Sequence, residues 1–167
     1  MDPLLDKARA GQNALERLAN EIPGFKGYRE KELRRDADRL QREHLASRLE
    51  ESRRSLDSLA AAASRTGALD AISDIETARK RLERVVNRIR YADRGYAGFF
   101  DTIKVSEESL DRVYRFDLEL LADVEAARKA AGEAASAGGA AVQAMIGRLD
   151  ALDAHMADRE AILSGIR

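Results

Sequence analysis

The chain has 167 residues, with 29 basic and 30 acidic side chains and a formal net charge of −1. It contains no cysteine, which excludes a disulfide framework, thiol catalysis and cysteine-ligated zinc or iron–sulfur centres. The charge is too evenly balanced for a dedicated nucleic-acid binder, and no apolar run approaches the roughly 18 residues that span a bilayer.

The length suits one domain, residues 1–167. The first residues, Met1-Asp2-Pro3-Leu4-Leu5-Asp6, lack the basic and apolar regions of a signal peptide, so a cytoplasmic location is expected. Ala, Leu, Arg and Glu dominate, and these are strong helix formers. An all-α fold follows, because the only strand-like stretch, Phe99 to Val105, makes no sheet alone.

Asp2 followed by Pro3 reads as an N-cap and first helical position. Leu4, Leu5, Ala8, Leu15, Leu18 and Ala19 share one face, and Pro23 should stop this helix near Ile22. After a Gly-rich loop over 22–28, a second helix is predicted from about Arg29 to Ala63. Its seam reads Leu33, Ala37, Leu40, Leu45, Leu49, Ser52, Leu56, Leu59 and Ala63, with one stretched step from Leu40 to Leu45. At about 1.5 Å per residue that helix is roughly 50 Å long.

Thr66 is the candidate cap of a third helix over 67–93, whose seam is Leu69, Ile72, Ile75, Leu82, Val85, Val86 and Ile89. A second Gly-rich loop covers 94–101. Ser106 then reads as an N-cap, with Glu107 and Glu108 matching the helix dipole. That helix carries Leu110, Val113, Phe116, Leu120, Leu121, Val124 and Ala127. The stretch 130–141 reads as a turn around Gly138-Gly139. A last helix carries Val142, Met145, Leu149, Leu152, Met156 and Leu163. The expected fold is all-α, an antiparallel up-and-down bundle of four to five helices with one long helix of about 35 residues.

Catalytic patterns are missing from this pattern of residues. Di-iron bundles need Glu-x-x-His on two helices, but Gln41 and Leu152 stand three residues before His44 and His155. There is no His-Glu-x-x-His, phosphate loop or dinucleotide fingerprint. Neither histidine has an evident Ser partner. His44 is expected at the seam's edge and His155 on a solvent face. No catalytic residue, no metal and no cofactor is expected.

Two features stand above this background. Of eight aromatic residues, six fall in the two Gly-rich regions: Phe25 and Tyr28, then Tyr91, Tyr96, Phe99 and Phe100. Antiparallel topology should bring both regions to one end, together with the end of the first helix. Those rings either close the base of the core or, beside arginines, form a recognition surface. The second feature is charge. Residues 79–94 hold seven bases and two acids, whereas 106–163 hold twelve acids and six bases. Neighbouring helices can neutralise each other in this way, or the basic face can attract an anion.

Ile22-Pro23-Gly24-Phe25-Lys26-Gly27-Tyr28-Arg29-Glu30-Lys31-Glu32, continuing to Arg34-Arg35-Asp36-Ala37-Asp38, resembles a stretch in uncharacterised bacterial helical proteins. Arg88-Ile89-Arg90-Tyr91-Ala92-Asp93-Arg94-Gly95-Tyr96-Ala97-Gly98-Phe99-Phe100-Asp101 resembles a second stretch in the same group. The resemblance covers about a fifth of the chain. It implies that the two loops belong to one shared feature and carries no activity.

The function expected is that of a non-enzymatic interaction or scaffold protein. It would bind a protein partner through residues 22–35 and 88–101. The candidate binding residues are Phe25, Tyr28, Arg35, Arg88, Arg90, Tyr91, Asp93, Tyr96, Phe99, Phe100 and Asp101. The alternative is a peripheral binder of anionic membrane or nucleic acid through the basic face of 79–94, which ranks behind it. A third possibility is a small-ligand or enzyme cleft using Arg35, Arg90, Asp93 and Asp101. Association into a homo-oligomer is also open.

Overall fold

The computed structural model describes residues 3–92 and 97–165, with side-chain surroundings from residue 11 onward except at Ala97. The capping role expected of Asp2, and the seam positions Leu4, Leu5 and Ala8, therefore lie outside what is described. The described residues form helices α1 (Pro3–Glu21), α2 (Arg34–Glu50), α3 (Ser52–Thr66), α4 (Leu69–Tyr91), α5 (Ala97–Asp101), α6 (Glu107–Ala137) and α7 (Gly139–Gly165). A single 3-10 turn, Lys31–Leu33, leads into α2. The all-α bundle and its long helix are as expected. α2 and α3 form one bent rod, interrupted at Glu51.

Two antiparallel hairpins make up the bundle. In the first, α2 and α3 run against α4; in the second, α6 runs against α7. Side-chain pairs fix how the hairpins lie together. Arg81–Asp150 (3.4 Å), Arg84–Asp153 (2.7 Å) and Arg88–Glu160 (3.1 Å) advance in step, so α4 and α7 run the same way. Arg48–Glu125 (2.9 Å) and the Arg128–Glu51 pair do the same for α2/α3 and α6. The basic α4 thus lies along the acidic α7.

The position of α1 differs from the expectation. Gly11 approaches Asp111, and Glu21 shares a groove with Arg48, Leu121 and Glu125. α1 therefore runs parallel to α6 and ends partway down the bundle. The chain then climbs back over residues 22–30, burying Ile22, Phe25 and Tyr28 on the way. This return uses positive φ at Gly24 (80°) and Gly27 (87°). A Cβ on Gly27 would also fall 2.6 Å from the Tyr114 hydroxyl. Ala19, placed on the seam by spacing, is exposed.

Other local expectations need correction. Thr66 ends α3 instead of capping α4: its hydroxyl donates back to Ala63 O at 3.1 Å, and Gly67 closes the helix in the left-handed region. The alanine stretch 130–137 continues α6, so the turn shrinks to Gly138 (φ 79°). α5 was not expected from the loop composition. It seats on α7 because Gly98 has no side chain; a Cβ there would lie 2.5 Å from Ser164 O. Ser106 does cap α6, accepting from Ser109 N at 3.2 Å. His155 is half-buried, paired with Asp123 and edge-on to Phe116, and not on an open solvent face.

The two ends of the bundle have different cores. Aromatic rings and charged groups fill the end near α5, called here the loop end. At the far end α6 contributes buried Ala127, Ala130, Ala131 and Ala134. No described helix is long and apolar enough to cross a membrane.

Candidate functional site

The two aromatic regions meet at the loop end. Tyr28 packs edge-on against Phe25 and Phe99, each with centroids at 5.4 Å, and stacks on Tyr114 at 5.5 Å. Phe99 meets Phe100 at 5.3 Å. Phe25, Tyr28, Phe99 and Phe100 are all buried, so four of the candidate recognition rings are packed inside the molecule. Tyr91 is the exception, at 70% exposed. Asp93 and Tyr96 lie outside the described residues.

Arg34 holds the two regions together. It is buried, and its guanidinium donates to four backbone carbonyls: Tyr28 (2.7 Å), Arg29 (3.4 Å), Phe99 (3.2 Å) and Thr102 (2.6 Å). Its pKa is lowered by burial. Backbone dipoles satisfy its donors without supplying a full negative charge, whose attraction would oppose that shift.

Beneath the rings lies a row of buried ions. Arg42 Nε donates to Asp38 Oδ2 at 2.7 Å, one turn away on α2. Asp38 Oδ1 pairs with Arg159 of α7 at 2.8 Å. Arg159 Nε donates to Asp117 Oδ1 of α6 at 2.8 Å. The Tyr28 hydroxyl donates to the other oxygen of Asp117. Two cations and two carboxylates alternate, so the row is neutral. Burial opposes the Arg159 charge, but Asp117 and Asp38 outweigh it and hold its proton more tightly than usual. Burial, reinforced by Asp117, pushes the Tyr28 phenol well above its ordinary value. Removing one member would strand a buried charge at a cost of about 3–5 kcal/mol.

The row reaches the surface at a cleft of about 460 Å3 between α2, the end of α4 and α5. Asp38 and Arg42 line it, with Arg35, Asp36, Arg39 and Glu43 from α2, Arg90, Tyr91 and Ala92 from α4, and Phe100 from α5. Arg35 lies over the Phe100 ring at 5.1 Å and pairs with Asp101 at 3.1 Å. Arg90 pairs with Glu50 at 2.9 Å. Among the described residues, Arg39 has only long contacts to Asp36 (3.4 Å) and Glu43 (3.6 Å) on its own helix. The cleft is therefore rich in half-exposed guanidinium groups, each engaged with a carboxylate that another acid could replace.

Among the expected binding residues, Arg35, Arg90, Tyr91 and Phe100 line this cleft, and Asp101 pairs with one of them. Arg88 does not line it; it turns to α7, bridging Asp153 and Glu160. Arg34, Asp38, Arg42, Asp117 and Arg159 were missed. A signal existed in the seams for two of them. Arg42 fills the stretched step between Leu40 and Leu45, and Arg159 the empty step between Met156 and Leu163; Asp117 was hidden because Phe116, beside it, already fills the seam.

Among the described residues, no group of three or more His, Asp and Glu is placed to hold a metal. No family model, no curated protein and no solved structure matches this chain.

Proposed function

We propose that the chain is a non-enzymatic interaction module that takes a protein partner at the loop end, in the cleft between α2 and α4. The observation that carries this reading is the exposed Tyr91 set among the half-exposed Arg35, Arg39 and Arg90. Tyr and Arg are the residue types that dominate interface energetics, because each offers large area with oriented hydrogen bonding. The partner segment would be polar and carry carboxylates, which exchange for Asp36, Glu43, Asp101 or Glu50 on the guanidinium groups. The buried rings serve this surface indirectly, by fixing α5 and the start of α2.

An anionic membrane or nucleic acid is the weaker reading. Arg79, Arg81, Arg84, Arg88 and Arg90 each lie within salt-bridge distance of an acid of this chain. Their charge is largely spent between helices.

A photo-crosslinking residue at Tyr91 tests the proposal in cells, with the same residue at exposed Arg148 as the control. The expected result is a discrete protein adduct from position 91 that disappears with Arg39→Ala and Arg90→Ala. Identical adducts from both positions, or an adduct indifferent to the two arginines, would sink it.

A further inference from the structure

We infer that the far end of the bundle, opposite the cleft, is a contact surface for a second copy of this chain. An apolar notch of about 210 Å3 opens there between the two hairpin tips. Leu59 and Ala63 of α3, Ala71 and Ile75 of α4, and Val142 of α7 form its walls, and the Gly138-Gly139 turn borders it. A Cβ at either glycine would meet nothing within 4 Å, so the mouth is not closed by the turn. A cavity of about 150 Å3 with aliphatic walls accommodates a benzene-sized group, so an aliphatic side chain fits here.

The same end supplies such a side chain. Leu69 opens α4 between two residues that line the notch, Ala68 and Ala71, and is 76% exposed. Knob and notch on one face make that face its own complement. A two-fold axis perpendicular to the bundle's length then sets each Leu69 over the partner copy's notch, as an isologous end-to-end contact requires.

Charge points the same way. Arg65 and Asp70 flank Leu69 at the hairpin tip, both are exposed, and neither has an ion-pair partner among the described residues. Asp74, on the wall of the notch, also has none among them. The two-fold relation faces Arg65 of one copy with the acids of the other, twice. A foreign partner would need this pattern by coincidence; a second copy carries it by symmetry. The contact is small, below the roughly 1,000 Å2 of a tight interface, so the dimer is a weak one.

Sedimentation of the full chain from micromolar to millimolar concentration tests this. The wild type should pass from monomer to dimer across that range. Leu69→Asp should weaken association by about tenfold or more, as loss of a central anchor does. Arg65→Glu should weaken it several-fold, and the charge swap Arg65→Glu with Asp70→Arg should restore it. All three positions are exposed, so folding is preserved and circular dichroism verifies it. Tyr91→Ala, at the opposite end, should change nothing, which separates this surface from the cleft. A chain that stays monomeric throughout overturns the inference. So does a dimer indifferent to Leu69→Asp, or one that is lost with Tyr91→Ala.

Discussion

The two ends of this bundle are held together by different physics. At the loop end, rings interlock over a neutral row of buried ions, and an arginine ties backbone carbonyls from two distant loops. At the far end, alanine lets helices approach closely, and the contacts are aliphatic and short in reach. The lesson is that one fold can assign specificity and compaction to separate halves. Buried ions demand particular partners at particular places, whereas an alanine layer only asks that nothing larger intrude.

The sharpest way to break this contrast is Arg159→Ala. It strands Asp117 and Asp38 in the interior and should cost about 3–5 kcal/mol, read as a shift in denaturation midpoint. Replacing Arg159 and Asp117 together by apolar residues of similar size removes one charge of each sign, leaves the Arg42–Asp38 pair in place, and should recover most of that loss. If the double variant is as unstable as the single one, stranded charge is not the cause. The matching intrusion at the far end is Ala131→Leu, which overpacks the helix contact and should cost about 1–3 kcal/mol.

A smaller effect comes from pH. Tyr28 resists ionisation in the folded chain because burial and Asp117 oppose the phenolate. Below about pH 10 the phenol is protonated whether folded or unfolded, and stability is undiminished. As pH rises beyond that, the unfolded chain alone releases its proton and stability drains away. Denaturant midpoints at pH 9 and pH 11 should therefore diverge, and Tyr28→Phe should narrow the gap. The smallest effect belongs to the interhelical surface pairs. Arg84→Ala should stay within about 0.5 kcal/mol of the parent, since its guanidinium is half-exposed and screened.

The same contrast governs how much of the molecule was legible in its sequence. The alanine-rich end was readable as helix, because Val142, Met145, Leu149 and Leu152 repeat without interruption. Two details were misjudged there: the length of the Gly138 turn, since residues 130–137 lack bulky seam markers, and the role of Thr66, which ends α3 instead of capping α4. At the loop end the meeting of Phe25, Tyr28, Phe99 and Phe100 followed from topology, yet their burial did not. Spacing places a ring near an end; it does not say what covers it. The seam of α2 was misplaced for a related reason. Leu33 is 39% exposed, while Arg34, Asp38 and Arg42 point inward. An apolar count assigns such charges to solvent unless an opposite partner, here Arg159 in the empty step between Met156 and Leu163, is seen at a matching gap on another helix. The direction of α1 was hidden because a return segment such as 22–30 looks like a loop at one end.

Arg34 also has a consequence in time. Its four carbonyl acceptors come from residues 28–29 and 99–102, segments separated by about seventy positions of chain. Neither segment can be secured until both have arrived. The far hairpins need no such rendezvous: α3 and α4 turn within residues 67–68, and α6 and α7 within Gly138. Contacts local in sequence form before those that must first close long loops. The chain is therefore built to fold from its alanine end toward its ringed end, with the cleft among the last features assembled. In reverse, the cleft walls are the first to be released when the molecule loosens.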